Sequence, residues 1–217
     1  MTEMNDDPIT LAQLLTARVC HDLSGAVGGV GTGAELLQDA GADGAPDAVH
    51  LLADSAAAAT TRLRLYRAAF GREGSGAVPG PDEVPGLLST YLRQGSTGAA
   101  TRLIWPEEGA DVLGRDAVRL LLNMVILARE TLPRGGTVEV APPQPEQGLA
   151  VEARGDGAAL EPGVRAVLEA PDTPAEDLTP RTVHGRFIQA VAGRLGTSVM
   201  VEEQEGAVGI ASGPVAA

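Results

Sequence analysis

A chain of 217 residues with 16 Lys and Arg against 29 Asp and Glu carries a formal charge of −13, which excludes the broad basic footprint of a nucleic-acid binder and disfavours adhesion to anionic membranes. Apolar residues make up 44% but aromatics only 2%, so there is a core, and it is built from Leu, Val and Ala. The single cysteine, Cys20, leaves no internal disulfide and no cysteine-based zinc cluster; the acidic start does not read as a signal peptide, no apolar run reaches the roughly 18 residues of a membrane span, and a cytoplasmic protein of one large or two modest domains is expected.

Residues 9–39 have helical periodicity. With about 100° per residue and His21 at zero, Leu15, Val19, Leu23, Ala26, Val30 and Leu37 gather on the opposite side, while Leu14, Arg18, Gly25, Gly28 and Thr32 share the histidine side. His21 therefore projects from the polar face. The stretch 39–47, DAGADGAPD, is a turn of Gly, Pro and Asp. Residues 47–70 form a second helix. Its apolar positions Val49, Leu52, Ala56, Ala59, Leu63, Tyr66 and Phe70 alternate in spacing between three and four, a coiled-coil seam. Two helices across a short turn make an antiparallel hairpin, and a lone hairpin cannot cover both stripes. Pairing of two copies into a four-helix bundle, a homodimer, is the expected outcome.

Residues 71–86, GREGSGAVPGPDEVPG, read as a Gly/Pro-rich linker, dividing the chain into a hairpin (1–74) and a second domain (75–217). Beyond it the pattern predicts a helix over 87–94, a strand over 100–105, a mostly buried helix over 115–132, strands at GTVEVAP and LAVEARG, a helix over 180–196 and a closing strand pair, TSVMVEE and AVGIAS. Mixed helices and mostly antiparallel strands indicate an α+β layer.

The chemistry concentrates in RVCHDLSGAVGGVGTGAELL, residues 18–37. Each glycine in a helix interior costs about 1 kcal/mol against alanine, so a cluster of five calls for a reason. Gly25 and Gly28 stand at i+4 and i+7 from His21. They leave a bare strip beside the imidazole that a partner's backbone can approach. Leucine at both positions is expected to raise helix propensity yet block that approach. Asp22, directly after His21, is placed to orient the ring and hold its tautomer. Neutral imidazole is a nucleophile near neutral pH, and an exposed helical imidazole suits phosphoryl transfer through a phosphoramidate. Arg18, one turn earlier, is a candidate cation for the phosphoryl charge, and reversing its charge is expected to weaken transfer more than folding. Cys20 has no base arranged to activate it and reads as a small buried hydrophobe. His50 and His184 read as surface or satisfied core residues.

The same residues resemble the ChpT-type histidine phosphotransferases. HDLSGAVGGVGTGAELL resembles that family's phosphoacceptor motif, and ADSAAAATTRLRLYRAAFG (53–71) its second helix. LLLNMVILARETLPRGGTVEV (120–140) resembles the Asn-bearing helix and following strand of a degenerate kinase ATPase domain, and LTPRTVHGRFIQAVAGRLG (178–196) the family's last helix. The resemblance covers nearly the whole chain in order. It departs where Gly31 or Thr32 stands in place of a frequent asparagine. What it implies is a dimeric hairpin followed by a Bergerat-like α+β domain that no longer binds ATP. Phosphoryl groups would pass between the receiver domain of a hybrid kinase of the CckA type and response regulators of the CtrA and CpdR types. By that resemblance His21 is the phosphoacceptor and Asp22 the acid that orients it. Arg18, Ser24, Gly25 and Gly28 would lie at the receiver-docking surface, with Mg2+ supplied by the receiver.

A working kinase would need a nucleotide site in the second domain. Asn123 sits on the expected helix but among apolar residues, Asp156 and Gly157 lack the second glycine of an adenine loop, and no Gly-rich phosphate-covering segment follows. No bound cofactor is expected. Residual ATP-dependent autophosphorylation, or a non-catalytic receiver-binding adaptor, are the alternative readings.

Overall fold

The computed structural model describes residues 8–39, 44–71, 78–94, 100–106, 113–144 and 146–215. The boundary placed at residue 74 and residues 40–43 of the turn at 39–47 lie outside the described residues.

Helix α1 (Pro8–Asp39) runs antiparallel to α2 (Ala45–Phe70), and together they form the predicted hairpin. Two of the α1 glycines explain how closely the helices cross. A Cβ on Gly29 would sit 2.4 Å from Ser55 Oγ, and one on Gly33 would sit 2.9 Å from the Leu52 backbone nitrogen. Gly25, Gly28 and Gly31 are different, with nothing within 4 Å of a Cβ built on them. The five glycines thus divide into a packing pair and an open trio.

After the hairpin come α3 (Val84–Arg93), β1 (Thr101–Ile104), α4 (Arg115–Glu130), β2 (Gly136–Val140), β3 (Ala150–Arg154), α5 (Pro162–Glu169), α6 (Val183–Arg194), β4 (Val199–Gln204) and β5 (Ala207–Ser212). The five strands form one sheet in the order β1-β2-β3-β5-β4. β1 and β2 are parallel, with α4 as their crossover, and every other pair is antiparallel. The α+β expectation is met as a mixed sheet with helices against it. The unforeseen element is α5. It is short, opens with Pro162, and is capped by Glu161, whose carboxylate accepts from the Val164 N–H at 2.9 Å.

The core is continuous from hairpin to sheet. Helix α4 is buried all round: Leu120, Leu121, Leu122, Met124, Val125 and Ile126 are sealed from solvent. It lies against α2, α6 and β3. The last turns of α2 join the same core through Leu65, Tyr66, Ala68 and Ala69. Gln189 of α6 ties two edges together: its Nε2 donates to Leu168 O (2.7 Å) and Val199 O (2.8 Å), and its Oε1 accepts from Val199 N (3.0 Å). At the same end of the hairpin, Leu11, Leu14 and Leu15 of α1 pack against Val167, Leu178 and Val183. The α/β part therefore covers the first turns of α1, including Leu14, which periodicity alone places on the polar, histidine side.

Candidate functional site

That covering ends near His21. Its imidazole is 88% exposed, with Nδ1 3.3 Å from Asp22 Oδ1. Asp22 is half-buried and held from several sides. Its Oδ2 accepts from the Tyr66 hydroxyl at 3.2 Å and lies 3.8 Å from Arg18 Nε, while its backbone carbonyl accepts from Arg62 Nη1 at 2.8 Å. Burial, reinforced by the negative charges of Asp22 and Glu130, raises the Tyr66 pKa above the ordinary phenol value, so the hydroxyl keeps its proton.

Arg18 is not on the open surface. Its side chain is 6% exposed; Nη2 is ion-paired with Glu130 at the end of α4, and Nη1 donates to Arg181 O at 3.1 Å. The physical reason is the α/β part, which lies over this turn of α1 and gives the guanidinium a carboxylate and a carbonyl in place of water. A reversed charge at Arg18 would set a third carboxylate against Asp22 and Glu130, so folding would not be spared as the sequence suggested. Desolvation raises the Glu130 pKa, with Arg18 opposing the shift.

Ser24, Gly25 and Gly28 are exposed on α1, with the Ser24 hydroxyl donating to Cys20 O at 2.6 Å. Cys20 is also exposed, which corrects the expectation of a buried hydrophobe: it lies on a side of α1 that nothing among the described residues covers. Beside His21 opens a cleft of about 760 Å³, lined by His21, Asp22, Glu130, Pro133, Glu161 and Arg181 among others. The histidine stands where the hairpin and the α/β part meet. Of these residues, sequence reasoning passed over Tyr66 as an ordinary seam position, and Glu130, Arg62 and Arg181 gave no pattern to read. The one available signal was a tyrosine in a chain with very few aromatics.

The residues that would form a nucleotide site are otherwise engaged. Asn123 is fully buried; its Nδ2 donates to Ala69 O (3.1 Å) and Arg119 O (2.9 Å), and its Oδ1 lies 3.0 Å from His184 Nε2. Asn123 is thus a core residue with polar neighbours, and His184 is a buried core residue bonded to it through Nε2. Asp156 is exposed and paired with Arg134 at 2.8 Å. His50 is exposed on α2. Among the described residues no His, Cys, Asp and Glu cluster could hold a metal ion, and no helix is long and apolar enough to cross a membrane.

The description "histidine phosphotransferase C-terminal domain" matches residues 81–207, more than half of the chain. The chain belongs to the histidine phosphotransferase family. A curated member similar to this one is protein phosphotransferase ChpT of Brucella abortus (strain 2308), 37% identical over 134 residues, which are 61% of this chain and 60% of that protein. The alignment thus spans less than two thirds of that relative. A solved bacterial phosphotransferase superposes with a TM-score of 0.75 at 26% identity, covering 95% of this chain and 97% of its own. The family match begins after α2; the structural likeness extends over the hairpin as well.

Proposed function

We propose that the protein is a phosphorelay histidine phosphotransferase that carries a phosphoryl group on His21 between receiver domains. The observation that carries this reading is the exposed imidazole, set against Asp22 at the mouth of the cleft between hairpin and α/β part. The family membership and the likeness to a solved phosphotransferase support it.

A neutral imidazole that donates its Nδ1–H to Asp22 leaves the lone pair on Nε2, pointing to solvent. Nε2 attacks the phosphorus of an aspartyl phosphate on an incoming receiver. The N–P bond forms as the P–O bond to the receiver's carboxyl breaks, and the carboxylate leaves with that electron pair. The positive charge that develops on the ring is met by Asp22. The reverse step, onto another receiver's aspartate, restores the neutral histidine. Catalysis of this kind is mostly positioning and charge compensation; Mg2+ at the receiver's own acidic site supplies the rest. Ser24, Gly25 and Gly28 offer the open strip on which a receiver seats, while Arg18 works from beneath by holding the turn to Glu130. By the resemblance, the donors and acceptors are receivers of the CckA type and regulators of the CtrA and CpdR types, met in the cytoplasm.

In this reading the α/β part is a Bergerat-like module that serves docking rather than ATP use. The full engagement of Asn123 by Ala69, Arg119 and His184 supports that. The working unit is a homodimer, favoured by the apolar residues Val27, Val49 and Leu63, which lie about half exposed along the hairpin. The test offers wild type and His21→Ala first ATP, then a phosphorylated receiver domain. Label on the wild type alone, and from the receiver alone, is expected. Label from ATP would make the protein a kinase, and receiver binding without label at His21 would make it an adaptor.

A further inference from the structure

We propose that Tyr66 is a positioning residue for phosphotransfer, acting through Asp22 to hold His21 in the tautomer that exposes the Nε2 lone pair. The inference rests on the reading of His21 as the phosphoryl acceptor.

The two oxygens of Asp22 have divided duties. Oδ1 faces His21 Nδ1 at 3.3 Å, and Oδ2 accepts from the Tyr66 hydroxyl at 3.2 Å. A carboxylate on a helix turns easily about its last torsion. Arg18 Nε, 3.8 Å from Oδ2, is too far away to hold it by a hydrogen bond. Arg18 is itself drawn inward by Glu130 and Arg181. The Tyr66 hydroxyl, reaching across from α2, fixes Oδ2 and so leaves Oδ1 aimed at the imidazole.

Tyr66 is built to do this without moving. It is 6% exposed and sits in the core where hairpin meets α/β part. Its ring packs edge-on against Phe70 at 5.6 Å between centroids. A Tyr side chain has two torsions, and burial fixes both. Packing alone would be served as well by phenylalanine. What the hydroxyl adds is a donor on the Asp22 carboxylate that touches His21. As Nε2 forms its bond to phosphorus, the ring gains positive charge, and a carboxylate held at Nδ1 meets it with no reorganisation.

Tyr66→Phe keeps the ring and removes only the donor. The expected result is a single-turnover transfer from a phosphorylated receiver domain slowed by roughly tenfold, the scale set by one hydrogen bond to a charged group. The apparent affinity for the receiver should hold. In the Asp22→Ala background the same substitution should cost nothing further, because the effect travels through Asp22. 15N chemical shifts of His21 in the unphosphorylated protein should move from one dominant tautomer in wild type to a mixture in Tyr66→Phe, and the same spectra report whether the variant is folded. Unchanged His21 shifts would overturn the proposal whatever the rate. An equal loss of rate in the Asp22→Ala background would overturn it too, leaving Tyr66 as packing. If wild type takes no phosphoryl group from any receiver, the reading of His21 fails while the shifts still decide whether Tyr66 sets the tautomer.

Discussion

His184 shows what a single side chain costs when the core closes over it. It is fully buried, with Nε2 toward Asn123 Oδ1 and no partner at Nδ1. The Asn123 amide donates to two carbonyls, so its oxygen is left to accept, and His184 must carry its proton on Nε2. A second proton would place a charge inside the core with no acceptor, in the field of Arg18. Burial first, and Arg18 second, hold its pKa well below the ordinary imidazole value. The unfolded chain titrates near 6.5, so below that pH it takes up a proton that the folded chain refuses. Stability from this residue is therefore full above the ordinary imidazole range and falls as the pH drops through it, so the protein should lose stability between about pH 7.5 and about pH 5.5. Urea midpoints at the two pH values should show that extra loss in wild type and not in His184→Gln; equal losses would remove His184 from the account. At this scale the sequence was uneven. The His21–Asp22 pair was legible because the two are neighbours. The burial of Arg18 was not, because Glu130 lies more than a hundred residues away and leaves no periodic trace beside it.

The α1 helix carries two kinds of glycine, and they should respond in opposite ways. Gly33 meets the Leu52 backbone, which cannot step aside, whereas Gly25 and Gly28 face open space. Leucine at Gly25 and Gly28 removes two helix-weakening residues and should stabilise α1 by about 0.5–1 kcal/mol each. Alanine at Gly33 should destabilise the hairpin by about 1–3 kcal/mol, the usual range for overpacking. Thermal unfolding of the variants reads both signs. The Gly25→Leu, Gly28→Leu protein should also lose transfer while gaining stability, and normal transfer there would make the open strip irrelevant to docking. Both long helices, α4, α6 and all five strands were legible from periodicity to within a few residues. Helix α5 was missed because eight residues with Pro162 and Gly163 at their start give too short a repeat to register. The glycines were visible as a cluster, but their division needed the position of α2.

For the molecule as a whole, the question is what covers the hairpin. The seam read from the α2 sequence is only partly used within one chain. Tyr66 and Phe70 at its C-terminal end pack into or against the core, whereas Val49, Ala56 and Leu63 lie exposed, as does Val27 on α1. The α/β part reaches only one end of the hairpin, through Leu11, Leu14 and Leu15 of α1 and the last turns of α2. A spaced apolar stripe left facing water along the remaining turns is what an antiparallel pair presents before it finds a second pair. In the proposed homodimer a second copy would cover it, the same stripe on each hairpin meeting its counterpart about a two-fold axis. Each apolar side chain of that size gains about 1.5–3 kcal/mol when fully buried, so a few per copy suffice to hold a dimer against the cost of association. Val27→Glu with Leu63→Glu should therefore convert a species of twice the chain mass into a monomer in sedimentation equilibrium. The variant should keep its α/β core, since neither residue belongs to it, and near-wild-type secondary structure by circular dichroism would show that. If the variant stays a dimer, the copies meet elsewhere and the exposed stripe belongs to another partner. If wild type is itself a monomer, His21 works from a single hairpin, and receiver docking must be explained by α1 and the α/β part alone.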